Sequence, residues 1–207
     1  MPVMVHANAI EDGQVIPELG LDVSWPLLFA EISEDTDPDP ELCRSWQLVA
    51  AANGDDAWQR SRPMGGPPRG PVFWSTLLHG PGWVAGWSAP RRVRGPVELR
   101  GQLNVADEYA VGLTPNIRGR ITRIRVVTEA VTLAPGPLGS TTKLVAGSRS
   151  YHDVQTSPLA FERGSGGIPA HAPHQPLPTA INRAVPLPPE ALVRQLGVLT
   201  DLELSAS

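Results

Sequence analysis

PVELRGQL, residues 96–103, and IRGRITRIRVV, residues 117–127, decide the fold class of this chain. In the first stretch Val97, Leu99, Gly101 and Leu103 alternate with Glu98, Arg100 and Gln102, the period of a strand with one dry and one wet face. In the second the alternation slips: Ile117 and Ile121 share odd parity, whereas Ile124 and Val126 are even. One extra residue at Thr122 and Arg123, a β-bulge, returns all four to the core side. It also sends Arg118, Arg120, Arg123 and Arg125 to the outer face.

Working outward, VFWSTLLH (72–79) and WVAGWSA (83–89) flank Gly80-Pro81-Gly82, a hairpin signal that puts Trp83, Ala85 and Trp87 on one face. Val131 to Leu133 and Lys143 to Tyr151 read as short strands around the turn PGPLGST. LDVSWPLLFAEI, residues 21–32, is apolar and β-prone, with Pro26 arguing for an edge or a bulge. ELCRSWQLVAAANG is ambiguous. Asp39 as N-cap, Pro40 at N1 and the stripe Leu42, Trp46, Val49 favour a helix ending at Asn53-Gly54. Alternation of Trp46, Leu48 and Ala50 is the competing reading, a strand entering a hairpin there. The segment PPEALVRQLGVL, residues 188–199, reads as a short helix with Leu192, Leu196 and Leu199 on one side.

These elements predict an all-β fold with one or two short helices, a partly open barrel or small sandwich. An N-terminal arm with strand potential (1–20), a core domain (21–160) and a Pro/Gly-rich arm ending in the short helix (161–207) make up the chain. Glycine and proline, 43 of 207 residues, disfavour long helices. SRPMGGPPRGP (61–71) reads as a loop, and the stretch 164–178 should pack little core of its own. Arg-Gly-Pro-Val, present at 69–72 and again at 94–97, reflects composition rather than a repeat. The strands 96–103 and 117–127 resemble those of an oligonucleotide/oligosaccharide-binding barrel, in architecture rather than by any motif.

Charge is segregated. Residues 1–62 hold twelve acids against three bases, and residues 91–149 hold ten bases against Glu98, Asp107, Glu108 and Glu129. Such a basic block is either an anion-binding surface or the complement of its own acidic partner. Sixteen of the seventeen basic side chains are arginine, Lys143 being the exception, which a GC-rich genome explains as well as phosphate recognition does.

Motifs for catalysis and nucleotide binding are missing: there is no GxGxxG after a strand, no GxxxxGK[ST], no GxSxG and no HExxH. Asp35, Asp37, Asp39 and Glu41 are spaced as calcium ligands, but Pro40 occupies the position that needs glycine and Trp46 the one that needs glutamate. A solvated acidic loop is the reading. His171 and His174 are too few for a metal, and Cys43, the sole cysteine, is a core candidate more than a nucleophile paired with His79 or His152. No cofactor or metal site is expected. With no secretory signal and no apolar run of membrane-spanning length, a cytoplasmic location away from any membrane is expected.

The constellation that remains is Trp83 and Trp87 beside Arg91, Arg92, Arg94, Arg118, Arg120, Arg123 and Arg125. Aromatic faces stack bases and guanidinium groups hold the phosphate chain in proteins that bind single strands. The leading expectation is therefore a non-enzymatic binding module with a basic outer β face for a polyanion, single-stranded DNA or RNA. The alternative is an assembly subunit whose arms and opposite charges pack on other subunits or on copies of itself, with the tryptophans filling a core.

Overall fold

The computed structural model describes residues 1–33, 39–59, 72–106, 114–136, 139–162 and 186–205. It is mainly β. The strands are β1 (Pro2–His6), β2 (Asp22–Glu31), β3 (Arg44–Gln59), β4 (Val72–Gly80), β5 (Trp83–Ala89), β6 (Gly95–Val105), β7 (Asn116–Gly136), β8 (Gly139–Leu144), β9 (Ser150–Val154) and β10 (Leu192–Leu204). One short helix, α1 (Ala7–Glu11), follows β1. The ten strands form one mixed sheet that closes into a ring without being a regular barrel. β1, β6, β2, β7 and β10 hydrogen-bond in a cycle, β10 closing it by pairing with both β7 and β1. β3, β4 and β5 make a second circuit from β6 back to β2.

The bulge expected in β7 is present. Arg123 pairs with Asp201 and Ile121 with Leu202, so Thr122 is the extra residue, its hydroxyl donating to the Asp201 carbonyl at 3.1 Å. Ile117, Ile121, Ile124 and Val126 are all buried as a result. Each such aliphatic side chain contributes roughly 1.5–3 kcal/mol by leaving water. They join Leu27, Leu103, Val198 and Leu202 in the main core inside the ring.

Several expectations need correction. Residues 44–50 are strand, not helix, and β3 runs past Asn53-Gly54 to Gln59, so neither the helix nor a hairpin at that dipeptide forms. β3 lies between β6 and β4, and two rows of ladder bonds outweigh the modest helical preference of Leu, Gln and Ala. The helix expected at 188–199 is β10, which contributes buried Val198, Leu199, Thr200 and Leu202 to the ring. Gln102 is not on a wet face. The second half of β6 is buried on both sides, and Gln102 donates to the Asn104 side chain at 2.7 Å. Residues 2–6, in the arm whose sequence carries strand potential, do form a sheet strand, with Val3, Met4 and Val5 fully buried. The stretch 164–178, the loop 61–71, Asp35, Asp37, His171 and His174 lie outside the described residues.

A second, smaller core lies on the other face of the ring wall. Met4, Leu42, Cys43, Val127 and Leu199 form it, with Ile32, Tyr151 and Leu196 packed against it. The segment 39–43 thus crosses the outer side of β7, and this strap governs the fate of the arginine row.

Candidate anion-binding surface

Along β7 the outer side chains pass from water into cover. Arg118, Arg120 and Arg123 are exposed. Arg125, expected to be exposed with them, is only 4 % exposed, because the strap and Tyr151 lie over it. Its guanidinium donates to Glu41 Oε2 at 2.9 Å and Asp201 Oδ2 at 3.1 Å, and sits 5.4 Å from the centre of the Tyr151 ring. Further along, Glu129 accepts from Arg149 at 2.7 Å and from Arg194 at 2.7 and 3.0 Å. Asp39 accepts from the Tyr151 hydroxyl at 2.6 Å and faces Arg149 at 3.4 Å. Asp39 and Glu41, the described part of the acidic loop, are therefore matched within the chain to arginines of the basic block. Local alternation does not signal this, and the one hint it offers is the apolar doublet Val126-Val127, both of whose side chains are buried.

The exposed arginines of β7 do not form a purely basic stripe. Asp22 and Glu203 stand opposite Arg120 on the two neighbouring strands, and Asp201 stands opposite Arg123. Arg123 makes a bidentate pair with Asp153, at 2.6 and 3.0 Å. That hydrogen bond holds the Asp153 carboxyl below the ordinary carboxylate value and raises the Arg123 guanidinium above its own.

Trp83 and Trp87 face inward, at 4 % and 5 % exposure. Trp83 meets Trp46 edge to face, with ring centres 5.3 Å apart and planes at 84°. This geometry is that of core aromatics, so neither ring offers a face to a base in this structure. The tryptophan that accompanies an exposed arginine is a different one: Trp74, over whose ring Arg92 lies at 4.2 Å.

Arg91, Arg92 and Arg94 are on the β5–β6 turn, Arg91, Arg92 and Arg94 all being exposed there. They follow the far end of β5, whereas the start of β7 meets its near end, where Trp83 and Arg118 border one groove. β2 runs parallel to β5 and antiparallel to β7, so Arg120 and Arg123 lie still further from the turn. A seven-residue strand spans about 20 Å, and the two arginine groups are separated by at least that strand. The structure brings Arg91, Arg92 and Arg94 together, and Arg118 and Arg120 together, but does not join the two sets.

No protein-family model, curated protein or solved structure matches this chain.

The remaining candidates have bland places. Cys43 is in the second core, His79 borders the groove, and His152 pairs beside Val126, on the opposite face of the sheet from Val127 and that core. Among the described residues no three His, Cys, Asp or Glu side chains come close enough to share a metal ion.

Proposed function

We propose that the chain is a cytoplasmic, non-enzymatic binding module that engages a polyanion, single-stranded DNA or RNA, at the turn carrying Arg91, Arg92 and Arg94. In this reading the ring serves as a partly open barrel of the oligonucleotide/oligosaccharide-binding kind, with the turn at its rim. One observation carries it: three exposed guanidinium groups within four residues, one of them resting on a tryptophan. Neither Arg91 nor Arg94 takes part in an ion pair among the described residues, in contrast to Arg123 and Arg125. The Arg92 guanidinium carbon lies 4.2 Å from the Trp74 ring centre, which anchors the turn, and guanidinium groups such as those of Arg91 and Arg94 present paired N–H donors to phosphate oxygens. Arg118 and Arg120 lie at a distance that a longer strand would have to span, and Asp22 and Glu203 beside Arg120 reduce its contribution.

A labelled oligothymidylate titrated at two salt concentrations tests this directly. The double variant Arg91→Glu/Arg94→Glu should bind at least tenfold more weakly. Its log–log salt slope should be shallower by about 1.4, because two phosphates are no longer neutralised and each accounts for roughly 0.7. An unchanged slope, or no binding by the unaltered protein at low salt, would reject the proposal.

A second reading, assembly with other copies or subunits, is favoured by an apolar edge. Hydrogen bonds from Leu19 N to Gln155 O and from Ser157 N to Pro17 O hold segment 16–21 beside 155–159. Ile16, Leu19, Leu21 and Leu159 are exposed there, Leu159 at 64 %. Light scattering should then give a mass that rises with concentration, and Leu21→Glu/Leu159→Glu should return it to that of one chain. A single-chain mass across a hundredfold dilution range would eliminate this reading.

A further inference from the structure

Where the β4–β5 turn faces the beginning of β7, the surface opens into a groove of about 820 Å³. His79, Trp83, Val84, Asn116, Ile117 and Arg118 contribute to its walls. Its size falls within the range of small-molecule sites. Trp83 and Ile117 reach it from the core and supply an apolar floor, while His79, Asn116 and Arg118 are exposed around it. Gly80 is part of how the groove is kept: a Cβ there would come within 2.2 Å of the Trp83 ring, so only glycine lets the indole lie against the turn. Asn116 donates one amide N–H to Ser24 Oγ at 3.3 Å, which fixes the amide and leaves its second N–H as a donor. Arg118 makes no ion pair among the described residues, and its neighbour across β2 is the uncharged Ser24.

We infer that this groove binds a small organic anion, a carboxylate or phosphate carried on an apolar or aromatic body. The acid group lies on Arg118, which can take two of its oxygens at once, with the His79 ring and the Asn116 amide beside it. The body of the ligand lies along Val84 and Pro115, above the buried Trp83 and Ile117. A permanent cation at the edge of an apolar trough rewards a ligand that has both parts and discriminates against one that has only one of them. The site goes beyond the polyanion proposal and does not depend on it, since the 91–94 turn lies at the other end of β5.

Calorimetric titration of the full chain with phenyl phosphate, benzoate, inorganic phosphate and benzyl alcohol tests the inference. At least one aromatic anion should saturate with a Kd below about 1 mM. Inorganic phosphate and benzyl alcohol, each with half of the required chemistry, should bind at least tenfold more weakly. The ratio of the two aromatic anions then assigns the acid group. Arg118→Gln should weaken binding at least tenfold, and Asn116→Asp, which adds a carboxylate to the groove, should weaken it as well. Both positions are exposed, so the fold should persist, and Arg94→Gln at the distant turn should leave these affinities unchanged. The inference is overturned if neither aromatic anion saturates, if Arg118→Gln binds as the parent does, or if Arg94→Gln reduces affinity equally. Oligothymidylate binding by Arg118→Gln is read separately, so failure here leaves the 91–94 turn to its own test.

Discussion

Replacing Glu129 by alanine should destabilise the protein by about 3–5 kcal/mol, the usual cost of removing one partner from a buried ion pair. Glu129 is 3 % exposed, and each of its oxygens is used, one by Arg149 and the other by Arg194. The Arg149 side chain is itself only 7 % exposed, and after the substitution it retains Asp39 at the longer distance of 3.4 Å. The carboxylate that joins two guanidinium groups would be lost from a place water scarcely reaches. For a chain of this length such a loss lowers the melting temperature by roughly 10 °C. Glu129→Gln keeps an acceptor oxygen and the shape, so it should cost less than alanine. The double variant Glu129→Leu/Arg149→Met removes charge on both sides and should be less destabilising than its two single changes added together. Urea unfolding of the parent, the two single variants and the double variant measures this coupling. Additivity within about 0.5 kcal/mol would show that the pair is not energetically joined.

That network also shows how far local reading reaches. The parity of Ile117, Ile121, Ile124 and Val126 predicts a bulge because side-chain alternation is a property of a single strand, and the bulge lies at Thr122. Whether an outward side chain meets water is not a property of one strand. Arg123 stays exposed, whereas Arg125, two residues on, is covered by a strap from more than eighty positions earlier in the chain. The same limit applies to the tryptophans. Alternation puts Trp83 and Trp87 on one face, which the structure bears out, but the ring decides that this face looks inward. Trp74, whose exposed neighbour Arg92 stacks on it, could have been found only by pairing β4 with β5 in register, Trp74 against Ala89.

Helix and strand are hard to separate where amphipathic spacing fits both. PPEALVRQLGVL has leucines on one helical side, yet Val193 and Val198 are β-branched, and the chain finds partners in β7, in the middle of the sequence, and in β1, at its other end. Ladder bonds to strands some sixty and two hundred residues away are invisible to any local window. They outweigh helix propensities worth tenths of a kcal/mol per residue. The groove beside Arg118 is illegible for the same reason, since His79 and Asn116 come together only when the β4–β5 turn and the start of β7 are set side by side.

Gly197 lies where β10 meets β1 to close the ring, and Gly197→Ala should cost about 3–5 kcal/mol. β10 carries a bulge at Leu196: Gln195 pairs with Thr128 and Gly197 with Val127, so Leu196 is the extra residue, its side chain packed against the second core. Gly197 directly follows, with φ +137°, a backbone conformation that L side chains rarely adopt. It also lies against β1, paired with His6, so closely that a Cβ would sit 2.2 Å from the Val5 carbonyl oxygen and 2.8 Å from the Ala7 nitrogen. Those are backbone atoms of β1 and of the first residue after it, and they have no rotamer by which to move aside. The strained φ accounts for about 1–3 kcal/mol and the forced separation of β1 from β10 for a similar amount. Gly13→Ala is the control. Its φ is +71°, but nothing lies within 4 Å of the added carbon, so only the left-handed conformation is penalised, at about 1–2 kcal/mol. Denaturant unfolding should therefore rank parent, Gly13→Ala and Gly197→Ala in that order. Hydrogen exchange should show the lost protection concentrated in β1 and β10. Equal destabilisation by the two alanines would mean that β1 and β10 do not meet at Gly197, and that the ring is open at this seam.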